Sequence, residues 1–204
     1  MPSARFYNWL YRVGAPWGSS PRPVLVEAVE SGRLTARAFP RALDLGCGEG
    51  PDSLFLADRG FDVVGVDFSG RALAVARRRA KERGLDGRVR FVECDLTKPE
   101  LPGVEGPFDL LFDGGSLDDL QGANREAAVR HVHRLSRPGS KFLMWCFFGA
   151  RNELPWISFV GPSRVGPGFE PGEVERLFGG PFEIQRLDVE PHRGRWASFL
   201  MTRR

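Results

Sequence analysis

The feature that most constrains this chain is a short apolar run that breaks into alternate glycines, Leu43-Asp-Leu-Gly-Cys-Gly-Glu-Gly50. The residues Ala42 to Leu45 read as a buried strand, and the stretch from Ser53 to Arg59 reads as a helix. Between them, Gly46, Gly48 and Gly50 let the backbone turn sharply and admit a ligand against the main chain, where a Cβ would block it. The helix that follows adds unpaired N–H groups at the same place. Taken alone, such a loop marks either a ligand site or a tight turn; what accompanies it along the chain decides.

A repeated strand–loop–helix pattern accompanies it. Phe61 to Asp67 is a second strand, after which Ser69 can cap a helix carrying Ala72, Ala76 and Ala80 on one face until Gly84 stops it. Val89 to Cys94 and Pro107 to Phe112 are the third and fourth strands, Asn124 to Leu135 is a helix, and Pro138-Gly139 turns into a fifth strand at Lys141 to Phe148. Strands that alternate with helices imply a parallel sheet with right-handed crossovers. The ending differs. After a Gly/Pro-rich stretch (residues 161–172) and a short helix from Glu173 to Phe178, Phe182–Leu187 and Ala197–Thr202 are strands with no helix between them, hence antiparallel to each other. The expectation is a three-layer α/β sandwich on a seven-stranded, mostly parallel sheet with an antiparallel C-terminal strand pair. Residues 1–204 would form a single domain, with 41–204 as its core. Residues 1–40, with Phe6, Trp9, Leu10 and Tyr11 at helical spacing and a second helix from Val24, would form an N-terminal helical lid.

Bulk properties narrow the partners. A net charge of +3 is too small an excess to argue for nucleic acid, which needs concentrated phosphate neutralisation. The arginine cluster at 77–79 reads as a solvated helix face. No apolar run approaches the roughly 18–20 residues needed to span a bilayer, and the N-terminus lacks the apolar stretch of a signal peptide. A cytoplasmic protein is expected, as monomer or homodimer. The cysteines Cys47, Cys94 and Cys146 show neither CxxC pairing nor zinc-type spacing, so no metal is expected.

The chemistry lies in carboxylates placed where strands end. Asp67 ends the second strand, where it can accept bonds from both hydroxyls of a ribose; Asp95 ends the third, within reach of an adenine amine; Asp113 closes the fourth. Ligands of open α/β sheets bind at these carboxyl ends. A dinucleotide would want G-x-G-x-x-G and a pyrophosphate at the helix N-terminus. Here the spacing is Gly46-x-Gly48-x-Gly50, with Asp44, Glu49 and Asp52 close by. Acidic residues so near would repel a pyrophosphate and suit a ligand with a cationic amine and a sulfonium. That charge pattern favours S-adenosylmethionine.

The segments Leu43–Gly50, Val64–Ser69, Phe91–Asp95 and Phe108–Asp113 resemble successive motifs of class I, Rossmann-like methyltransferases over about residues 41–204. Tyr11 and Pro16-Trp17 are similar to the N-terminal piece of the thiopurine, thiol/halide and tellurite-resistance group. The resemblance implies S-adenosylmethionine as cofactor, S-adenosylhomocysteine as product and a small-molecule acceptor. It also implies roles: Asp44, Gly46 and Gly48, with Cys47 between them, at the methionine part; Asp67 at the ribose; Phe68 on the adenine face; Asp95 and Leu96 at its edge; Asp113 and Gly114 closing the pocket; Trp17 covering it. The chain departs from these relatives after the fourth strand. An arginine and a histidine pair are replaced by Gly114 and Asp118-Asp119.

No catalytic residue can be named from the sequence. His131 and His133 point to different sides of a helix and read as surface residues; His192 lies in the last loop; Asp118 and Asp119 are bases or helix caps. Methyl transfer is an in-line displacement in which alignment and exclusion of water do much of the work. A soft sulfur, selenium or halide nucleophile, needing no base, is therefore set slightly ahead of nitrogen or oxygen. The alternatives are an RNA or protein methyltransferase, or a cofactor-binding regulator without transfer activity.

Overall fold

The computed structural model describes residues 4–13, 19–150, 152–154, 157–158, 161–162, 168–187 and 196–204. Along the chain these form α1 (Ala4–Val13), α2 (Pro23–Glu30), β1 (Arg41–Leu45), α3 (Pro51–Asp58), β2 (Asp62–Asp67), α4 (Gly70–Glu82), β3 (Val89–Glu93), β4 (Phe108–Asp113), α5 (Gly122–Leu135) and β5 (Ser136–Phe147). There follow β6 (Ile157–Ser158), β7 (Gly161–Pro162), α6 (Glu173–Phe178), β8 (Phe182–Leu187) and β9 (Trp196–Arg203). The main sheet has the order β3-β2-β1-β4-β5-β9-β8. β1 to β5 run parallel, and β9 lies antiparallel to both β5 and β8. This is the expected seven-stranded arrangement. The two-residue strands β6 and β7 make a separate small ribbon in and beside the Gly/Pro-rich stretch, which the sequence did not foretell.

Burial explains the layers. β4 is buried throughout, and β1 and β2 are buried after their first residue, so the central strands need cover on both faces. Leu43, Leu45, Phe142 and Met144 pack with α5 and α6, whereas Ala42 and Leu143 pack on the opposite side with α2, α3 and α4. Two helical layers therefore enclose the sheet. α2 belongs to one of them through Val24, Leu25 and Ala28, and only α1 stands outside, packed on α4.

Local signals set most element ends. The Ser69 hydroxyl accepts the Ala72 N–H at 3.2 Å and caps α4. α3 begins two residues earlier than expected because Pro51 suits the first turn of a helix, where its missing N–H costs nothing. β5 also begins early, at Ser136. It absorbs Pro138-Gly139 as an irregularity, with a register shift opposite Phe108 and Leu110. The two histidines of α5 are not surface residues. His131 is 2% exposed, with Nε2 2.7 Å from the Lys98 carbonyl, and the His133 ring packs on Phe178 and Phe182.

One buried cation ties the loop after β4 to the C-terminal part of the sheet. Arg125 on α5 donates to the carbonyls of Leu117 (3.2 Å), Asp118 (3.0 Å) and Gly168 (2.7 Å). It also pairs with Glu173 at 2.9 Å and lies over the Phe169 ring at 4.1 Å. Removing it would take a charged donor from three carbonyls and leave Glu173 with only the Arg176 guanidinium at 3.6 Å as a cationic partner. Arg125→Met is expected to lower unfolding free energy by about 3–5 kcal/mol, read as the urea midpoint. An unchanged midpoint would show that the clamp is not stabilising.

Candidate functional site

The loops at the carboxyl ends of β1, β2 and β4 surround a cavity of about 440 Å³, within the roughly 300–1,000 Å³ span of small-molecule sites. Three glycines shape the first loop. Gly46, Gly48 and Gly50 have φ of 67°, 53° and 79°, a region that side chains disfavour. A Cβ on Gly46 would come within 2.3 Å of Ser116 Cβ, and one on Gly48 within 2.6 Å of the Tyr11 hydroxyl. The glycine loop is thus wedged between the loop after β4 and helix α1.

Asp67 fastens this loop to the next. Its Oδ2 accepts the Gly48 N–H at 2.9 Å and its Oδ1 accepts the Ser69 N–H at 2.8 Å. Burial pushes the carboxyl up to about 6, against the amides that favour its charge. A carboxylate offers about four lone-pair sites, and Asp67 lines the cavity with acceptor capacity left over. Phe68, Cys94, Asp95 and Leu96 continue this wall. Asp95 Oδ1 receives the Thr97 N–H at 2.9 Å and the Thr97 hydroxyl at 2.7 Å.

Other residues singled out from the sequence stand behind the wall. Asp44 is 1% exposed and accepts the Ser53 hydroxyl at 2.5 Å; burial, reinforced by Asp52, holds its carboxyl well above the usual range. Cys47 is buried in the core beneath α3, and Gly48 is covered by Tyr11. Asp113 is fully buried and turned into its own loop, accepting the Ser116 hydroxyl and the N–H groups of Gly115, Ser116 and Leu117. It therefore shapes a loop from which Gly114, Gly115 and Ser116 line the cavity, and its carboxylate does not face the cavity itself. Trp17 and His192 lie outside the described residues.

The far end of the cavity is aromatic. Trp196 stacks on Trp145 at 3.9 Å (8°) and on Phe147 at 3.6 Å (24°). Two rings so nearly centred on one indole cannot share a face, so Trp196 lies between them. The Arg22 guanidinium lies over Trp145 at 4.5 Å and covers its other face, while Arg22 Nε donates to the Gly114 carbonyl at 3.0 Å. The sequence signal for this wall is the i, i+2 pair Trp145/Phe147 at the end of β5; nothing local pointed to Arg22.

Two acids face the aromatic end. Asp118 Oδ2 accepts the Phe147 N–H at 2.7 Å, and burial, then Asp119, pushes its carboxyl up to about 8. Asp119 accepts the Tyr7 hydroxyl at 3.1 Å and is pushed up to about 6 by burial. Neither caps α5, whose N-cap is Gln121. Among the described lining residues, four carboxylates (Asp67, Asp95, Asp118, Asp119) meet one basic side chain, Arg22. This balance fits a cationic ligand.

Comparison with known proteins agrees with this geometry. Residues 42–139 match a family model described as a methyltransferase domain. Over 133 residues the chain is 30% identical to the 2-heptyl-1-hydroxyquinolin-4(1H)-one methyltransferase of Mycobacteroides abscessus, covering 65% of this chain and 56% of that protein. The chain spans about half the length of the curated relatives it matches. A solved structure from work on the conversion of a disulfide bond into a thioacetal group during echinomycin biosynthesis aligns with a TM-score of 0.72 and 25% identity, over 98% of this chain and 93% of the other. A TehB-like SAM-dependent methyltransferase from Corynebacterium glutamicum aligns with a TM-score of 0.64 and 19% identity over 98% and 96%; that likeness is one of fold. Residues 42–139 are thus similar to a methyltransferase domain, and nearly the whole chain shares the fold of these solved structures.

Proposed function

We propose that the protein transfers a methyl group from S-adenosylmethionine to a small-molecule acceptor held at the aromatic end of the cavity. The observation that carries this reading is a cavity with a carboxylate that keeps acceptor capacity, Asp67, at one end and an apolar ring wall at the other, in an acid-rich lining. Asp67 would hold the ribose, Phe68 and Leu96 would flank the adenine, Asp95 would meet its amine, and Gly46 with the loop Gly114–Ser116 would enclose the methionine part. Asp44, Cys47, Gly48 and Asp113 would support that grip from behind, by fixing the loops. When bound, the cofactor supplies an electrophilic methyl carbon; the chain's own groups orient the acceptor and exclude water. The acid-rich rim suits a sulfonium and an ammonium group.

The acceptor's chemistry is supported from several sides. The relative from Mycobacteroides abscessus is named for a fused-ring acceptor, which would suit the ring wall here. The solved structure from the thioacetal work supports sulfur among the soft nucleophiles. A free halide or selenide anion is disfavoured beside Asp118 and Asp119, since like charges repel in a buried site. RNA as acceptor loses its one foothold, the α4 arginines. Arg78, Arg79 and Arg83 pair with Glu82, Glu49 and Asp58, and Arg77 donates to the Phe91 carbonyl. Among the described residues no helix is long and apolar enough to cross a membrane. Three buried free thiols fit a reducing compartment and support the cytoplasmic expectation.

Two experiments test the reading. S-Adenosylmethionine should raise the melting temperature and S-adenosylhomocysteine should raise it further, as expected for ligands that bind the folded state alone. With a panel of thiols, phenols and amines, labelled methyl should appear in product; ligand binding without any product would favour the regulator instead. Second, Asp67→Asn should weaken S-adenosylhomocysteine binding by roughly 10- to 100-fold, the loss of one or two charged hydrogen bonds. Wild-type binding should also weaken as pH falls through about 6, where Asp67 becomes neutral. Affinity that ignores both the substitution and the pH would remove Asp67 from the ribose.

A further inference from the structure

We propose that Asp119, held by the Tyr7 hydroxyl at the aromatic end of the cavity, takes the proton from a protic aromatic acceptor, such as a ring hydroxyl, seated against the Trp145–Trp196–Phe147 wall. The inference rests on the methyl-transfer reading and adds to it the acceptor class and the group that receives its proton.

The acceptor class follows from the stack. Trp196 is covered on both faces by Trp145 and Phe147, and Trp145 is covered by Arg22. A cation-binding aromatic cage needs open ring faces. With both faces covered, Trp145 and Trp196 can offer the cavity only ring edges, and Leu120 lines it beside them. Ring edges carry the positive end of the quadrupole and favour a neutral aromatic partner in an edge-to-face contact. The acceptor is therefore an uncharged, apolar ring system, and its polar atom must find a partner at the acidic side.

Two carboxylates stand there, and their bonds separate them. Asp118 is 2% exposed and its Oδ2 is spent on the Phe147 N–H, which fixes the end of β5. Asp119 is half-buried and opens to the cavity. The Tyr7 hydroxyl donates to its Oδ2, and the Tyr7 ring stands edge-on to Phe68 at 4.9 Å, so one side chain spans from the adenine end to the acid. The groups facing Asp119 are Asp118 beside it, Tyr7 from α1 and Arg125 from α5. The first raises the proton affinity of the pair, and the other two keep Asp119 able to ionise. Burial raises both carboxyls, so two neighbouring acids hold one proton between them as the pair titrates, and the Tyr7 and Arg125 donors place the charge on Asp119.

The step balances. The acceptor's X–H proton passes to a carboxylate oxygen of Asp119 as the lone pair of X takes up the methyl group. The S–C bonding pair stays on sulfur, which ends as a neutral thioether.

The test reads binding. With S-adenosylhomocysteine saturating, calorimetry compares 2-naphthol with its methyl ether, 2-methoxynaphthalene, across the acid range. The hydroxyl compound should bind about tenfold more tightly than the ether, the worth of one hydrogen bond to a charged group. That preference should fade as pH falls through about 6. Asp119→Asn should abolish the pH dependence. Tyr7→Phe, which keeps the ring on Phe68 and removes the donor that lowers Asp119, should move the midpoint upward; a merely structural Tyr7 would not. If Asp119→Asn fails to fold, the Tyr7→Phe midpoint decides. Equal binding of the two probes, binding of neither, or an unmoved midpoint in Tyr7→Phe overturns the inference. If S-adenosylhomocysteine itself does not bind the wild type, the methyl-transfer reading falls, and the proposal with it.

Discussion

β1 lies between β2 and β4, and the rest of the structure depends on what happens where it ends. The chain reaches β2 through α3 on one face of the sheet. The connection that brings it back to the other side of β1 delivers β4, whose following helix, α5, covers the opposite face. Loops that leave in opposite directions open a crevice at this switch of strand order. Here the crevice is shaped by contact between Gly46 and Ser116 and is locked by the two amide bonds to Asp67. A side chain at position 46 would push the two loops apart. A neutral, non-accepting group at 67 would release the glycine loop from the turn after β2.

The same crevice explains why so many acids lie together. Asp44, Asp67 and Asp113 each end or nearly end a buried strand, and each is satisfied differently: by a serine hydroxyl, by backbone amides from two loops, and by its own loop. Burying a carboxylate is costly unless it is hydrogen-bonded, and these bonds offset that cost. Among the described residues that line the cavity, Arg22, already stacked on Trp145, is the one basic side chain set against four carboxylates.

What the sequence could and could not reveal follows from range. The strand–glycine–helix order, the Ser69 cap and the antiparallel ending are local patterns, and each appears in the structure near its expected place. Strand-end reasoning pointed to Asp67 and Asp95, the family resemblance added Gly46, Phe68 and Leu96, and all five line one cavity. Asp113 shows the limit of that reasoning. A strand-ending aspartate can face a ligand or close an Asx-type turn, and only the positions of the next four amides decide. The aromatic end was illegible for the same reason: Tyr7, Arg22, Trp145 and Trp196 come from four distant segments whose meeting is a property of the sheet, and Asp119, named from the sequence as a base or a cap, could not be placed beside them. The histidines of α5 were misplaced because helical periodicity gives a direction but not what waits there, here Lys98, Phe178 and Phe182.

The layered stack of Arg22, Trp145, Trp196 and Phe147 draws each of its members from outside the stretch 42–139 that matches the methyltransferase domain. The residues proposed to hold the cofactor, by contrast, lie almost wholly within it. On the proposed reading, selection for a new acceptor would rework the rings at the flanks of the chain and leave the glycine loop and Asp67 untouched, so likeness in the middle would say little about what two such proteins act on.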